Sequence, residues 1–263
     1  MNYVQLDYVD LALASLLVLA NAGLSLALNL GLAKRILIAT ARMVVQLSLV
    51  GLVLKSLFAI ASPWWTALAA LAMILFAGRE IMARQEKNFA GLWAYSLGTG
   101  SMLFAAALVT IFALTGPVSP DPWYDPRYAL PLLGMILGNT MTGISLGLHT
   151  LTTGLVRERA GVEAQLALGR SRADAFRPAI QAALTSALMP IVNAMAATGL
   201  VALPGMMTGQ ILAGVDPVEA VKYQILIMFL IAGGTSLGAV VAVMGGARRL
   251  SDSRHRLRLD RLT

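Results

Sequence analysis

Residues 219–246 read EAVKYQILIMFLIAGGTSLGAVVAVMGG, and no charged residue occurs from Gln224 to Ala247. A helix needs about 20 consecutive apolar residues to cross the hydrocarbon core of a bilayer. This stretch is long enough, and six more like it precede it, at about 10–33, 36–60, 63–79, 92–115, 131–151 and 180–203. An open sheet would leave backbone N–H and C=O groups unpaired in lipid, so each segment is predicted to be a helix. The expectation is an all-α integral membrane protein of seven spans, forming one domain over residues 1–263.

Composition agrees with that class. The chain has 263 residues, 58% hydrophobic and only 13% charged. Soluble domains carry about a quarter charged residues. There is no cysteine, which excludes disulfides and thiolate metal sites. The net charge is +7. In a soluble protein this would suggest nucleic acid, but in a spanning chain it points to basic loops facing one side, and no nucleic-acid partner is predicted. Asp7 and Asp10 stand where a signal peptide would carry Lys or Arg, so the first apolar run reads as a permanent span.

The linkers set the orientation. Lys34 and Arg35 follow the first span; Arg79, Arg84 and Lys87 follow the third. Arg157, Arg159, Arg170, Arg172 and Arg177 follow the fifth, and Arg248, Arg249, Arg254, Arg256, Arg258 and Arg261 follow the seventh. The opposite side has Arg127, with Lys55 and Lys222 near helix ends, in a loop region rich in Pro, Trp and Tyr. The positive-inside rule then predicts the N-terminus outside, the C-terminus cytoplasmic, and a multi-pass protein of the inner (plasma) membrane. The arginine-rich C-terminal run reads as a retention and lipid-headgroup patch.

The inner loop at about 152–178 is polar and helical in pattern. From 157 it runs RERAGVEAQLALGRSRADAFRP, ending at Pro178, which is expected to mark the start of the sixth span. Such a segment suits an amphipathic helix on the bilayer surface, or a docking element for a cytoplasmic partner. Glu163, Ala164 and Gly169 match the E-A-x-x-x-x-G core of the coupling loop of ABC importer permeases.

Three stretches together carry a more specific resemblance: GMILGNTMTGISLGL at 134–148, EAQLALG at 163–169, and LPGMMTGQILAG at 203–214. With them the chain resembles the permease subunits of the iron-export ABC transporter family (FetB type), to which plant aluminium-tolerance permeases are related. The resemblance covers nearly the whole chain. It implies a permease homodimer joined to two cytoplasmic ABC ATPase subunits, which would bind the ATP and Mg. It implies export of iron or another metal ion, and a coupling segment of Arg159, Glu163, Ala164, Gly169, Arg170 and Arg172. The alternatives are a stand-alone secondary transporter or channel, or an ABC permease for a different substrate such as a nucleotide sugar. No G-x-x-x-x-G-K-[ST] phosphate loop occurs, so no cofactor and no catalysis are assigned to this chain itself.

Polar residues inside spans are the candidates for a transport path, because lipid tolerates them poorly. Arg42 and Gln46 lie one turn apart in the second span. Asn139 and Ser145 offer oxygen ligands in the fifth, and Asn193 is the candidate in the sixth. In the fifth span Gly134, Gly138, Gly143 and Gly147 form two close-packing pairs. Pro204, Gly205 and Gly209 are expected to break the helix near the outer face, and with Met206 and Gln210 they are candidates for the path. Met135, Met141, Met189, Met195, Met206 and Met207 could serve as thioether ligands or as flexible packing residues. No metal-ligand set can be named.

Overall fold

The computed structural model describes residues 7–252 and 256–263. It is all helical, with only isolated bridges outside the helices among the described residues. The elements are α1 (Tyr8–Ala27), α2 (Ala33–Ile60), α3 (Pro63–Ala83), α4 (Trp93–Thr115), α5 (Pro126–Arg157), α6 (Arg159–Ala167), α7 (Arg172–Ala197), α8 (Gly205–Leu212) and α9 (Pro217–Arg249). Seven of them, all but α6 and α8, are long and apolar enough to cross a membrane.

The chain divides into two units. The first holds α1, α2 and Leu212–Gly214. Asp7 caps α1 reciprocally with Asp10, its N–H lying 2.9 Å from Asp10 Oδ2. The α1–α2 turn uses positive φ at Asn29 and Gly31, and the hydroxyl of buried Ser25 accepts the Leu32 N–H at 3.1 Å.

The second unit is built around α5. About half of the apolar window of α5 is buried (56%), against 22% for α3. Glycines set how close its neighbours come. A Cβ on Gly143 would lie 2.7 Å from Thr235 Cγ2 and 3.1 Å from the Ala187 carbonyl oxygen. One on Gly147 would meet Val243 Cγ2 at 2.9 Å and Ala187 Cβ at 3.2 Å. The second glycine pair is therefore the packing device, wedged against α7 and α9. Gly138 of the first pair has nothing within 4 Å, and Gly134 makes an ordinary 3.4 Å contact with Met73.

The same contacts fix direction. Gly143 pairs with Ala187 and Gly147 with Ala183, so α5 and α7 are antiparallel. Gly234 meets Ile136 and Gly246 meets Leu151, so α9 runs with α5. Gly134 meets Met73 and Gln85, just past α3, bonds the Ser145 carbonyl, so α3 runs with both; Gly238 meets Ala105 and Gly245 meets Leu97, so α4 is antiparallel to α9. One end of this unit thus gathers the C-termini of α3, α5 and α9, the N-termini of α4 and α7, and α6. Arg79, Arg84, Lys87, Arg157, Arg159, Arg170, Arg172, Arg177, Arg248 and Arg249 all fall toward that end.

Several expectations change. The fifth span is longer than 131–151: at 32 residues α5 is about 48 Å long and outruns the hydrocarbon core at both ends. The sixth span begins at Arg172 rather than 180, and Pro178 lies inside it, as does Pro190. A proline denies its helix one N–H and frees the carbonyl four residues back. For Pro178 that carbonyl belongs to Asp174, in the exposed first turn, where water can take it. The sixth span also ends at Ala197 rather than 203, with a turn at Gly199 (φ 91°).

Candidate functional site

The short helix α6 sits across the basic end. Glu158 closes α5 and caps α6 within one residue. Val162 is buried and anchors α6, while Glu163 and Ala164 stay exposed. Arg159 Nε lies 2.8 Å from Glu163 Oε1, bracing the outer face one turn apart. The helix ends in a Schellman turn. The Gly169 N–H bonds the Leu166 carbonyl at 3.0 Å, and the Arg170 N–H bonds that of Gln165 at 3.1 Å. This geometry needs a left-handed residue, and Gly169 has φ 84°. Just before it Leu168 projects into solvent, 84% exposed.

After this turn Ser171 caps α7. Its hydroxyl accepts the Asp174 N–H at 3.2 Å and donates to Asp174 Oδ2 at 2.7 Å. Ala175 and Phe176 are then buried. Beneath α6 a cavity of about 240 Å³ opens between Glu158, Val162, Gln165 and Ala179. The arrangement is a solvent-facing knob set on the ends of α5 and α7. The sequence pattern marks Glu163, Ala164 and Gly169 but does not single out Leu168.

The polar residues of α5 separate by face. Thr140 and Ser145 are buried. The Ser145 carbonyl accepts Gln85 Nε2 at 3.0 Å, and its hydroxyl has no hydrogen-bond partner among the described residues. Asn139 instead is exposed, its Nδ2 bonded back to the Met135 carbonyl at 2.9 Å. Thr142, His149 and Thr153 are half-buried and follow Asn139 at spacings that keep one outward stripe. Asn139 and Ser145 are therefore not brought together. The register with α7 puts Asn139 level with Ile191, within a turn of exposed Asn193. In the first unit, Arg42 and Gln46 are both exposed on α2.

The 203–214 stretch departs from expectation. Gly205 and Gly209 lie inside helix α8 rather than breaking one, since the break comes earlier, at 198–204. Pro204 stands just before the helix, where a missing N–H costs nothing, and its carbonyl accepts the Thr208 N–H at 3.0 Å. Met206 packs on the core, and Gln210 Oε1 is buried with no hydrogen-bond partner among the described residues. Pro204 lines a cavity of about 520 Å³ with Met195, Met207, Met228 and Gln224. Gln224 is buried and its Oε1 is likewise unpartnered. It was missed as a site residue, although a carboxamide inside the last apolar run is a signal of its own. Of the six methionines considered as ligands, Met195 and Met207 share this cavity, whereas Met135 and Met141 pack on the core and Met189 is exposed. Among the described residues no group of three or more His, Asp or Glu could hold a metal ion.

Residues 256–263 of the C-terminal run fold back on the core. Thr263 and Asn88 exchange backbone hydrogen bonds of 2.8 and 3.2 Å, and Phe89 is buried in the core cluster against which Leu257, Leu259 and Leu262 pack. Arg261 Nη1 bonds the Arg249 carbonyl at 2.7 Å, capping the end of α9. Arg249 in turn stacks 5.0 Å from the Trp93 ring centroid. Arg258 grips Asp260 with bonds of 2.8 and 2.7 Å, and that charge-assisted pair holds the Asp260 carboxyl down at about 2. Arg254 and His255 lie outside the described residues.

Residues 8–251 match a family profile described as "Uncharacterised protein family (UPF0014)". The chain is 36% identical over 241 residues to the UPF0014 membrane protein slr1647 of Synechocystis, covering 90% of this chain and 91% of that one. It is 32% identical over 266 residues to the probable iron export permease protein FetB of Escherichia coli, covering 100% of this chain and 99% of that one. It is 33% identical to the UPF0014 membrane protein STAR2 of rice, covering 91% of this chain and 85% of that one. No solved structure matches significantly.

Proposed function

The chain belongs to the UPF0014 family, and on that premise we propose that it is the permease subunit of an ATP-driven ABC exporter in the plasma membrane. Two copies would pair with two cytoplasmic ATPase subunits, which bind the ATP and Mg. The cargo would be iron or another metal ion, by analogy with the relative named a probable iron export permease.

The observation that carries this reading is α6. A short helix is anchored by one buried residue, Val162, stopped by a Gly169 turn, and tipped by the exposed apolar side chain of Leu168. A short exposed helix that joins two spans and ends in a fixed turn is a shape that a groove on a partner accommodates, with Leu168 as the apolar contact. Because α6 links α5 to α7, a push on it reaches both spans at once. Closure of an ATPase pair would then tilt α5 and α7 together and change which side of the path is open. The gathering of basic residues at the α6 end supports placing that end in the cytoplasm.

The outward stripe of Asn139, Thr142, His149 and Thr153 supports a path between two copies. Polar groups facing out of a spanning helix are costly in lipid and gain from a water-lined seam. Neutral oxygen and nitrogen ligands bind a cation weakly enough to release it, as transport requires.

Co-purification with the ATPase tests the reading. Glu163→Arg and Leu168→Asp are expected to abolish the complex while the permease remains folded. If both variants keep the ATPase, α6 is not the docking element.

A further inference from the structure

A cavity of about 370 Å³ lies where α7 begins and α9 ends. Two helix faces enclose it. Arg172, Phe176, Arg177 and Ile180 come from α7, and Met244 and Arg248 from α9. The polar and apolar contributions separate along the helices. The arginines stand within two turns of the helix ends, while Ile180 and Met244 lie deeper along the spans. Phe176 is buried at the floor. Of the neighbouring acids, Asp174 bonds Ser171 and Asp252 pairs with Arg256 Nε at 2.9 Å. Among the described residues no carboxylate forms an ion pair with Arg177 or Arg248.

A cationic rim above an apolar floor, at the level where two spanning helices leave the bilayer, suits the phosphate and the upper part of one acyl chain of a phospholipid. Guanidinium groups bind phosphate oxygens in pairs, and their stems can lie along apolar surface. Basic pockets between spanning helices take anionic headgroups for these reasons. We propose that this cavity binds one anionic phospholipid. Its phosphodiester is held by Arg177 and Arg248 beside Arg172, and one acyl chain lies along Phe176, Ile180 and Met244. Inorganic phosphate would leave that floor empty. The site does not depend on the transport reading. It requires only that α7 and α9 span the bilayer.

The test is native mass spectrometry of the full chain released from phosphatidylcholine nanodiscs doped with phosphatidylglycerol. The wild type should retain one phosphatidylglycerol in preference to phosphatidylcholine. The double variant Arg177→Gln/Arg248→Gln should lower that retention by roughly thirtyfold, the effect of two basic residues near a lipid surface. Ile180→Trp, which fills the floor and leaves the rim charged, should lower it as well. Arg127→Gln, at the other end, should not. Equal retention by the wild type and the double variant overturns the proposal, as does displacement of the lipid by millimolar inorganic phosphate. It is also overturned if the rim variant loses the ATPase subunit while its lipid retention is unchanged, for the surface then belongs to a protein partner.

Discussion

The Arg170 amide N–H bonds the Gln165 carbonyl at 3.1 Å across Gly169, and this contact holds Leu168 at the tip of α6. The bond closes only when the residue between takes a left-handed backbone, as Gly169 does at φ 84°. Gly169→Ala keeps the size small but strains that conformation by about 1 kcal/mol. The expected result is roughly fivefold weaker binding of the ATPase, with the spans intact. Titration of the detergent-solubilised pair measures it.

Gly143 and Gly138 should behave oppositely. Gly143→Val would drive side-chain carbon into Thr235 Cγ2 and the Ala187 carbonyl, an overpacking that costs about 1–3 kcal/mol. Gly138→Ala meets nothing within 4 Å in the single chain and should be neutral or slightly stabilising. Thermal unfolding in detergent separates the two. If Gly138→Ala also breaks a dimer, the second copy packs on that face.

The tail should act as a clasp on the segment between α3 and α4. Phe89→Ala removes a buried aromatic and is expected to cost about 3 kcal/mol. Deleting residues 256–263 should raise amide exchange across 86–92, since the Asn88 and Ala90 N–H groups lose their acceptors on Thr263 and Arg261. Unchanged exchange after the deletion would show that the clasp does not hold.

The Arg258–Asp260 pair sets a pH window for the same tail. The folded carboxyl titrates at about 2 against an ordinary value of 3.8. A lowered acid pKa gives stability that is present above the ordinary value and fades as pH falls toward the folded one. Tail protection should therefore hold down to about pH 4 and weaken below it, and Asp260→Asn should remove that dependence. Exchange measured from pH 6 down to pH 3 checks the slope.

The spans were legible because lipid allows few ways to satisfy a backbone, so hydropathy alone gives their number. Their ends were not. Pro178 looked like a boundary because proline stops most helices, yet the residue whose carbonyl it frees, Asp174, is exposed in the first turn and the helix runs through it. Which polar residues of α5 face outward could not be read either. Asn139, Thr140 and Ser145 are alike in the sequence, and only the wedge of Gly143 and Gly147 against α7 and α9 turns Asn139 outward and Ser145 in. The clasp of Thr263 on Asn88 joins residues 175 positions apart, and no local pattern announces such a pairing.

The central claim is that this chain is driven by a separate ATPase gripping α6. The most direct measurement is iron movement in proteoliposomes holding the permease with and without that ATPase. Uphill, ATP-dependent transport should appear only with the pair and vanish with Leu168→Asp. Accumulation against a gradient by the permease alone would contradict the account.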